Sequence, residues 1–182
     1  NEPRVGMISG HNYFGTTPKH GQDYTFITTC GVWGWASWRR VILDYRPDYS
    51  KLLDHKLKSI RTICVKRRAG ETLLENSCKA ATNQMNTWDY QFCEHLITNG
   101  MLTIMPTVNL IRNLGFLEDS THTAGAPFWY KDEIFEYDKP LQISRHIRVN
   151  RKLSTKIERF HITKKTGMIK KIIRRIKRII TS

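Results

Sequence analysis

Two tryptophan-bearing segments, at residues 33–40 and 88–92, constrain this chain more than any other feature. The first reads WGWASWRR, so three of the five tryptophans fall within six positions, around a glycine and directly before two arginines. Because a tryptophan buries a large area and its indole N–H needs a hydrogen-bond partner, a core seldom concentrates three of them so closely. Flat aromatic faces beside hydrogen-bonding groups suit a sugar ring, which has apolar faces and polar edges. The pattern predicts either a sugar-binding site or one large group of side chains that packs into the core beneath a loop.

The order of apolar runs and turn residues predicts a mixed α/β chain. A length of 182 residues with 40% hydrophobic residues suffices for the core of one domain. The predicted strands cover residues 5–9, 24–29 and 101–105. The predicted helices cover residues 36–43, 51–66, 73–85 and 88–98. Asn99 and Gly100 form a signal for a helix C-terminus, and residues 107–140 are loop-rich, as in a segment that folds over a site.

Charge is distributed very unevenly along the chain. Residues 151–182 contain 12 Lys and Arg and a single acid, Glu158, and therefore carry most of the formal net charge of +14. The rest of the chain is close to neutral. This distribution predicts two parts, a body at residues 1–150 and a basic tail at residues 151–182.

Within the basic tail, residues 168–180 have the pattern of an amphipathic helix. Their six isoleucines cluster within an arc of about 120° at helical spacing, with six Lys and Arg on the opposite side. Such a helix suits an anionic membrane surface, with its apolar face down and its cations towards the headgroups. The alternatives are a helix packed on its own domain and a nucleic-acid-binding arm. Because a phosphate-tracking arm has little use for six aligned isoleucines, we expect no nucleic-acid partner.

The four cysteines, Cys30, Cys64, Cys78 and Cys93, show no zinc-ligand spacing. In a domain of this length they are interpreted as reduced thiols of a cytosolic protein. No uninterrupted apolar stretch approaches the ~20 residues that cross a bilayer, and the chain shows no signal peptide. We therefore expect a cytoplasmic protein, held peripherally at the inner face of the cell membrane by its tail.

With a third motif included, the order of the motifs along the chain resembles that of a known family. Residues 109–116 read NLIRNLGF and are followed by STHT at 120–123, and residues 4–10 read RVGMISG. Together with the two tryptophan segments, these blocks resemble the C-terminal half of bacterial glycosyltransferases of the nucleotide-diphospho-sugar transferase (GT-A) type, in the hemolysin-like sugar transferase branch. The resemblance implies an α/β, GT-A-like fold that is incomplete at its N-terminus and carries a C-terminal amphipathic helix.

The resemblance also implies an activity, for which Asp89 is the expected base. Such an enzyme moves a sugar from a nucleotide-sugar donor to a hydroxyl of a glycan or lipid-linked acceptor, here in surface polysaccharide synthesis and with inversion. Transfer with inversion needs a base to take the acceptor proton. Asp89 starts a predicted helix between two aromatics, where the helix dipole favours a carboxylate. The alternative is that Asp89 is a helix N-cap, with Thr87 as a competing cap.

Further site residues are expected from the same blocks. The predicted substrate-binding residues are Trp33, Gly34, Trp35, Trp38, Arg39, Trp88 and Asn113. His122 is a predicted ligand of a divalent metal, Mg or Mn, and the alternative is a surface or hydrogen-bonding histidine. The acidic Asp-x-Asp-type motif of the family precedes the block at residues 4–10, so most metal ligands are expected upstream of this chain. The alternative function is that of a non-catalytic glycan- and membrane-binding fragment that lacks the donor site.

Overall fold

The computed structural model describes residues 2–46, 67–116, 130–131, 133–137, 139–143 and 146–160. Three predictions lie outside these described residues: the helix at 51–66, His122 as a metal ligand, and the amphipathic helix at 168–180. The described part is a mixed α/β fold.

A four-stranded mixed sheet forms its centre. The strands are β1 (Val5–Ser9), β2 (Tyr24–Ile27), β3 (Trp35–Ser37) and β4 (Leu102–Pro106), in the order β2-β4-β1-β3. The two central strands, β1 and β4, are parallel, and each edge strand is antiparallel to its neighbour. Since a parallel pair needs a long crossover, the chain between β1 and β4 has room for the helices that cover the sheet. The strands predicted at residues 5–9 and 101–105 are confirmed, and the strand predicted at 24–29 is confirmed in part, because β2 ends at Ile27.

The described α-helices are α1 (Arg39–Asp44), α2 (Arg67–Ala81), α3 (Asp89–Thr98) and α4 (Arg151–Phe160). The predicted helix at 88–98 is confirmed as α3, and Gly100, with φ of 65°, follows its end in the left-handed conformation that a C-terminal signal predicts. The prediction of a helix at 73–85 is confirmed in part, because α2 begins and ends earlier.

The predicted helix at 36–43 is wrong in its first turn. Ala36 and Ser37 belong to β3, where they pair with Ile8 and Met7 of β1, and the helix begins only at Arg39. The Ser37 hydroxyl also donates a hydrogen bond of 2.7 Å to the Gly6 carbonyl. Pairing with β1 satisfies backbone groups that a short helix would leave open at its end, and this long-range contact cannot be read from local spacing.

The core lies on both faces of the sheet. On one face, Met7 packs with Val41 of α1 and with Phe92 and Leu96 of α3. Beside it on the same face, α4 inserts two buried side chains into a second cluster, whose members are Tyr13, Ile27, Met105, Leu153 and Ile157. A third cluster, made of Val5, Phe26 and Leu102, covers the other face. The division of the chain at residue 150 stays a prediction, but the first ten residues of the basic tail form this packed helix.

Candidate functional site

A cavity of about 220 Å³ opens between α2, α3 and the loop that follows β2. The cavity is lined by Asp89 and Cys93 from α3, by Thr29 and Trp33 from the loop, and by Glu158 from α4. It brings together Asp89 and Trp33, which come from the two separate tryptophan segments of the sequence.

Asp89 is the first residue of α3, and the N-cap position before it is Trp88. The Oδ1 atom of Asp89 accepts hydrogen bonds from the Thr87 hydroxyl and from the Tyr90 N–H, the latter at 2.9 Å. Within the described part of the chain, Oδ2 accepts none. The carboxylate is therefore held by one oxygen at a helix N-terminus, where the dipole favours its negative charge, while the other oxygen is left for a ligand.

Trp33 belongs to an aromatic cluster that connects three loops. Its ring centroid lies 4.7 Å from that of His11, 5.2 Å from that of Phe116 and 5.8 Å from that of Tyr130. The Phe116 and Tyr130 rings stand nearly perpendicular to Trp33, an arrangement that aromatic pairs prefer. These contacts fix the orientation of the indole at the cavity wall.

Two cysteines, Cys30 and Cys93, also line the cavity. The Cys30 thiol donates a weak hydrogen bond of 3.8 Å to the Cys93 carbonyl, and the Tyr13 hydroxyl donates one of 2.7 Å to the Cys30 carbonyl. A hydrogen bond with the Cys30 side chain, together with burial, raises the pKa of Cys93 well above its ordinary value. Burial likewise raises the pKa of Tyr13. Both groups are therefore neutral at physiological pH.

Thr29 lines the cavity, and its hydroxyl is buried without a hydrogen-bond partner among the described residues. The residue is 6% exposed, and its Oγ1 atom makes no hydrogen bond within the described residues. A buried hydroxyl in this state costs about 1–3 kcal/mol, so such groups in proteins call for an explanation.

The other predicted substrate-binding residues lie away from the cavity lining. Trp35 packs half-buried against Trp88 and Phe92, with ring centroids 5.4 and 5.1 Å apart. Trp38 packs on the core with the Arg40 guanidinium 5.4 Å from its ring. The first tryptophan segment therefore divides, with one indole at the cavity and two on the core.

The remaining predicted residues occupy the surface or a turn. Trp88 is 49% exposed, and Arg39 is exposed at the start of α1. Gly34 forms the turn before β3, and the Asn113 N–H donates a 2.8 Å hydrogen bond to the Tyr130 hydroxyl. A substrate-binding role for these residues stays a prediction.

Most residues of the cavity were not predicted from the sequence, among them His11, Thr29 and Glu158. Glu158 had a signal that could have identified it, since it is the single acid among the residues of the basic tail and is only 3% exposed. An acid that is buried in a basic helix needs a structural or functional reason. His11 and Thr29 lie far from Asp89 along the chain and carry no local signal.

The divalent metal that the family resemblance implies stays a prediction, because most of its ligands are expected upstream of this chain and His122 lies outside the described residues. No group of three or more His, Cys, Asp or Glu side chains in this part of the chain could hold a metal ion. The Asp89 carboxylate accepts hydrogen bonds from Thr87 and Tyr90.

In comparisons with known proteins, no family model, no curated protein and no solved structure matched the chain. None of the helices that the structure describes is long and apolar enough to cross a membrane.

Proposed function

We propose that this chain is the acceptor-side part of a GT-A-type glycosyltransferase, which moves a sugar from a nucleotide-sugar donor to a hydroxyl of a glycan or lipid-linked acceptor. The observation that carries the proposal is the shared cavity of Asp89 and Trp33. A carboxylate and an indole at one cavity are the two groups that a sugar acceptor needs, a base for its hydroxyl and a flat apolar surface for its ring.

Asp89 acts as the general base in this proposal. Its Oδ2 atom takes the proton of the acceptor hydroxyl while that oxygen forms a bond to the anomeric carbon of the donor. The bond from this carbon to the diphosphate breaks on the opposite face, and the nucleoside diphosphate leaves with the electron pair, so that the configuration inverts. Hydrogen bonds from Thr87 and Tyr90 to Oδ1 hold the carboxylate during the transfer.

The size of the cavity supports a single sugar ring. Its volume of about 220 Å³ is below the range of about 300–1,000 Å³ that is typical of drug-sized ligands. The fixed orientation of Trp33 also favours a ring, because a rigid aromatic wall loses little conformational freedom when a ligand binds.

The substitution Asp89→Asn tests the proposal, because it removes the basicity and keeps the shape. In the full-length protein, which includes the donor-binding part, we expect turnover to fall by at least about 100-fold, the lower end of general-base contributions, while the melting temperature changes little. Release of nucleoside diphosphate from a panel of donors measures turnover. Asp44→Asn is the matched control, since Asp44 is an exposed carboxylate at the end of α1 and does not line the cavity.

Two results would contradict the assignment. A folded Asp89→Asn protein with normal turnover would remove Asp89 as the base. Sugar binding without turnover in the intact unsubstituted protein would favour a non-catalytic glycan-binding module instead.

A further inference from the structure

Cys30 and Cys93 lie together, although they are 63 residues apart along the chain. Cys30 lies in the loop after β2, and Cys93 lies on α3. The Cys30 Sγ atom is 3.8 Å from the Cys93 carbonyl oxygen, and a hydrogen bond also joins the two side chains. Both are free thiols in this structure. The fold therefore meets the first requirement for a disulfide, which is that two thiols approach each other.

The pair lies at the cavity, where a small reagent has a route to it. Both cysteines are partly exposed, and both line the cavity. Cys78 differs, because it is only 2% exposed and does not line the cavity. Since thiol reactions need access as well as a partner, Cys30 and Cys93 are better placed to react than Cys78.

The two cysteines belong to the segments that carry the candidate site residues. Asp89 and Cys93 are four residues apart in α3, so they lie on one face of this helix, and both line the cavity. Trp33 follows Cys30 by three residues in the loop after β2 and lines the same cavity. A bond between Cys30 and Cys93 would therefore join the loop of Trp33 to the helix face of Asp89.

We propose that Cys30 and Cys93 form a redox modification site, which a small disulfide such as oxidised glutathione converts to an intramolecular disulfide. One cysteine, as the thiolate, attacks a sulfur of the oxidant and releases the first glutathione. The other cysteine loses its proton and attacks the sulfur of the first, which releases the second glutathione. Two protons and two electrons have then passed from the protein to the oxidant. This site does not depend on which ligand the cavity binds.

Oxidation of the intact, folded chain tests the site. The chain is treated with oxidised glutathione, its remaining thiols are alkylated, and its mass is measured before and after digestion with trypsin. We expect a loss of about 2 Da before alkylation, because two thiol hydrogens leave. Trypsin separates the four cysteines into the peptides 20–39, 62–66, 69–79 and 80–112. The expected linked product joins peptide 20–39, which contains Cys30, to peptide 80–112, which contains Cys93.

The same oxidation in urea is the control for the role of the fold. In an unfolded chain the shortest loops close most easily, so Cys78 should pair mainly with Cys64 or with Cys93. The bond between Cys30 and Cys93 should then be a minor product. Among variants, Cys30→Ala should abolish the loss of about 2 Da in the folded chain. Cys78→Ala is the matched control and should keep it.

Three results would overturn the site. The first is a folded chain whose thiols stay unreacted or stop as mixed disulfides with glutathione. The second is a main product that links any other pair of cysteines in the folded chain. The third is the same distribution of linked peptides with and without urea, since the fold would then not align Cys30 with Cys93.

Discussion

At the residue scale, Gly34 shows how one backbone conformation orders the first tryptophan segment. Its φ is +56°, and a Cβ atom there would lie only 2.5 Å from Cγ2 of Ile111. The Gly10 N–H donates a 2.7 Å hydrogen bond to the Gly34 carbonyl. The turn at Gly34 thus lies tightly between two loops, and it lets Trp33 reach the cavity while Trp35 enters the sheet. The packing and the positive φ explain why position 34 is a glycine, and no ligand contact is needed to explain it.

Replacement of Gly34 by alanine is expected to destabilise the protein for two reasons, the left-handed φ and the contact with Ile111. Gly21→Ala isolates the first reason, because Gly21 has φ of +73° and a Cβ atom there would meet nothing within 4 Å. We expect Gly34→Ala to lower the free energy of unfolding by about 1–3 kcal/mol more than Gly21→Ala does. Urea denaturation measures both, and equal losses would show that Ile111 moves aside freely.

At the scale of elements, α4 shows a basic amphipathic segment that packs on its own domain. The Asn150 side chain caps the helix, because its Oδ1 accepts a hydrogen bond of 2.9 Å from the Leu153 N–H. The Ser154 hydroxyl accepts one of 3.1 Å from the Thr28 N–H just beyond β2. Leu153 and Ile157 are buried, and Glu158 lines the cavity from the same helix. The helix therefore connects the core to the candidate site.

Truncation of Ile157 tests this packing. Ile157 is 0% exposed, and Ile157→Ala is expected to lower the free energy of unfolding by about 2–5 kcal/mol through lost burial and the cavity left behind. Lys152→Ala on the exposed face of the same helix is the control, with an expected change within about 0.5 kcal/mol. Chemical denaturation measures the difference. A small effect of Ile157→Ala would mean that α4 contributes little to the stability of the domain.

At the scale of the whole molecule, Asp23 connects the region after β4 to the sheet. Its Oδ2 accepts a 2.9 Å hydrogen bond from the Gln142 N–H, and its Oδ1 pairs with the Lys19 ammonium at 2.8 Å. The Tyr137 hydroxyl donates a 2.6 Å hydrogen bond to the Asp23 carbonyl. The Gln142 N–H first, and then Lys19, lower the pKa of Asp23 below its ordinary value.

This lowered pKa predicts a pH-dependent contribution to stability. The ionised Asp23 stabilises the fold above the unfolded-state pKa of about 3.9, and this contribution is lost as the pH falls through the lower folded-state pKa. We therefore expect Asp23→Asn to be less stable than the unsubstituted protein at pH 7, with a difference that shrinks below about pH 4. Lys19→Met should show a smaller effect of the same sign. Urea denaturation across pH 2 to 7 measures it, and a difference independent of pH would contradict the assignment.

The basic tail carries most of the net charge of the molecule. We propose that residues 168–180 attach the protein to an anionic membrane surface. We expect the triple substitution of Ile172, Ile173 and Ile176 by Ser to release the protein from anionic vesicles even at low salt, because the apolar face supplies buried area. Replacement of Lys171, Arg174 and Arg175 by Gln should weaken binding to anionic vesicles, as added salt should. Vesicle co-sedimentation measures both. A serine variant that stays bound, or that unfolds, would contradict a membrane-surface helix.

The sequence by itself determined the α/β character, three of the strands and the end of α3. These features depend on neighbours along the chain: short apolar runs, a proline that stops β4, and the Asn99-Gly100 signal. It also pointed to Asp89 and Trp33 as residues of one site, although through the resemblance of segments and not through any local rule. The chemistry of that site stays a prediction.

The tertiary structure alone decided β3, the division of the tryptophans and the composition of the cavity. Ala36 and Ser37 are extended because β1 offers them a hydrogen-bonding partner about thirty residues away, and no local spacing reports such a partner. Thr29 and Glu158 meet at the cavity only because α4 returns to pack on β2. Contacts between distant residues depend on how the elements pack in three dimensions, which hydrophobic periodicity along the chain does not encode.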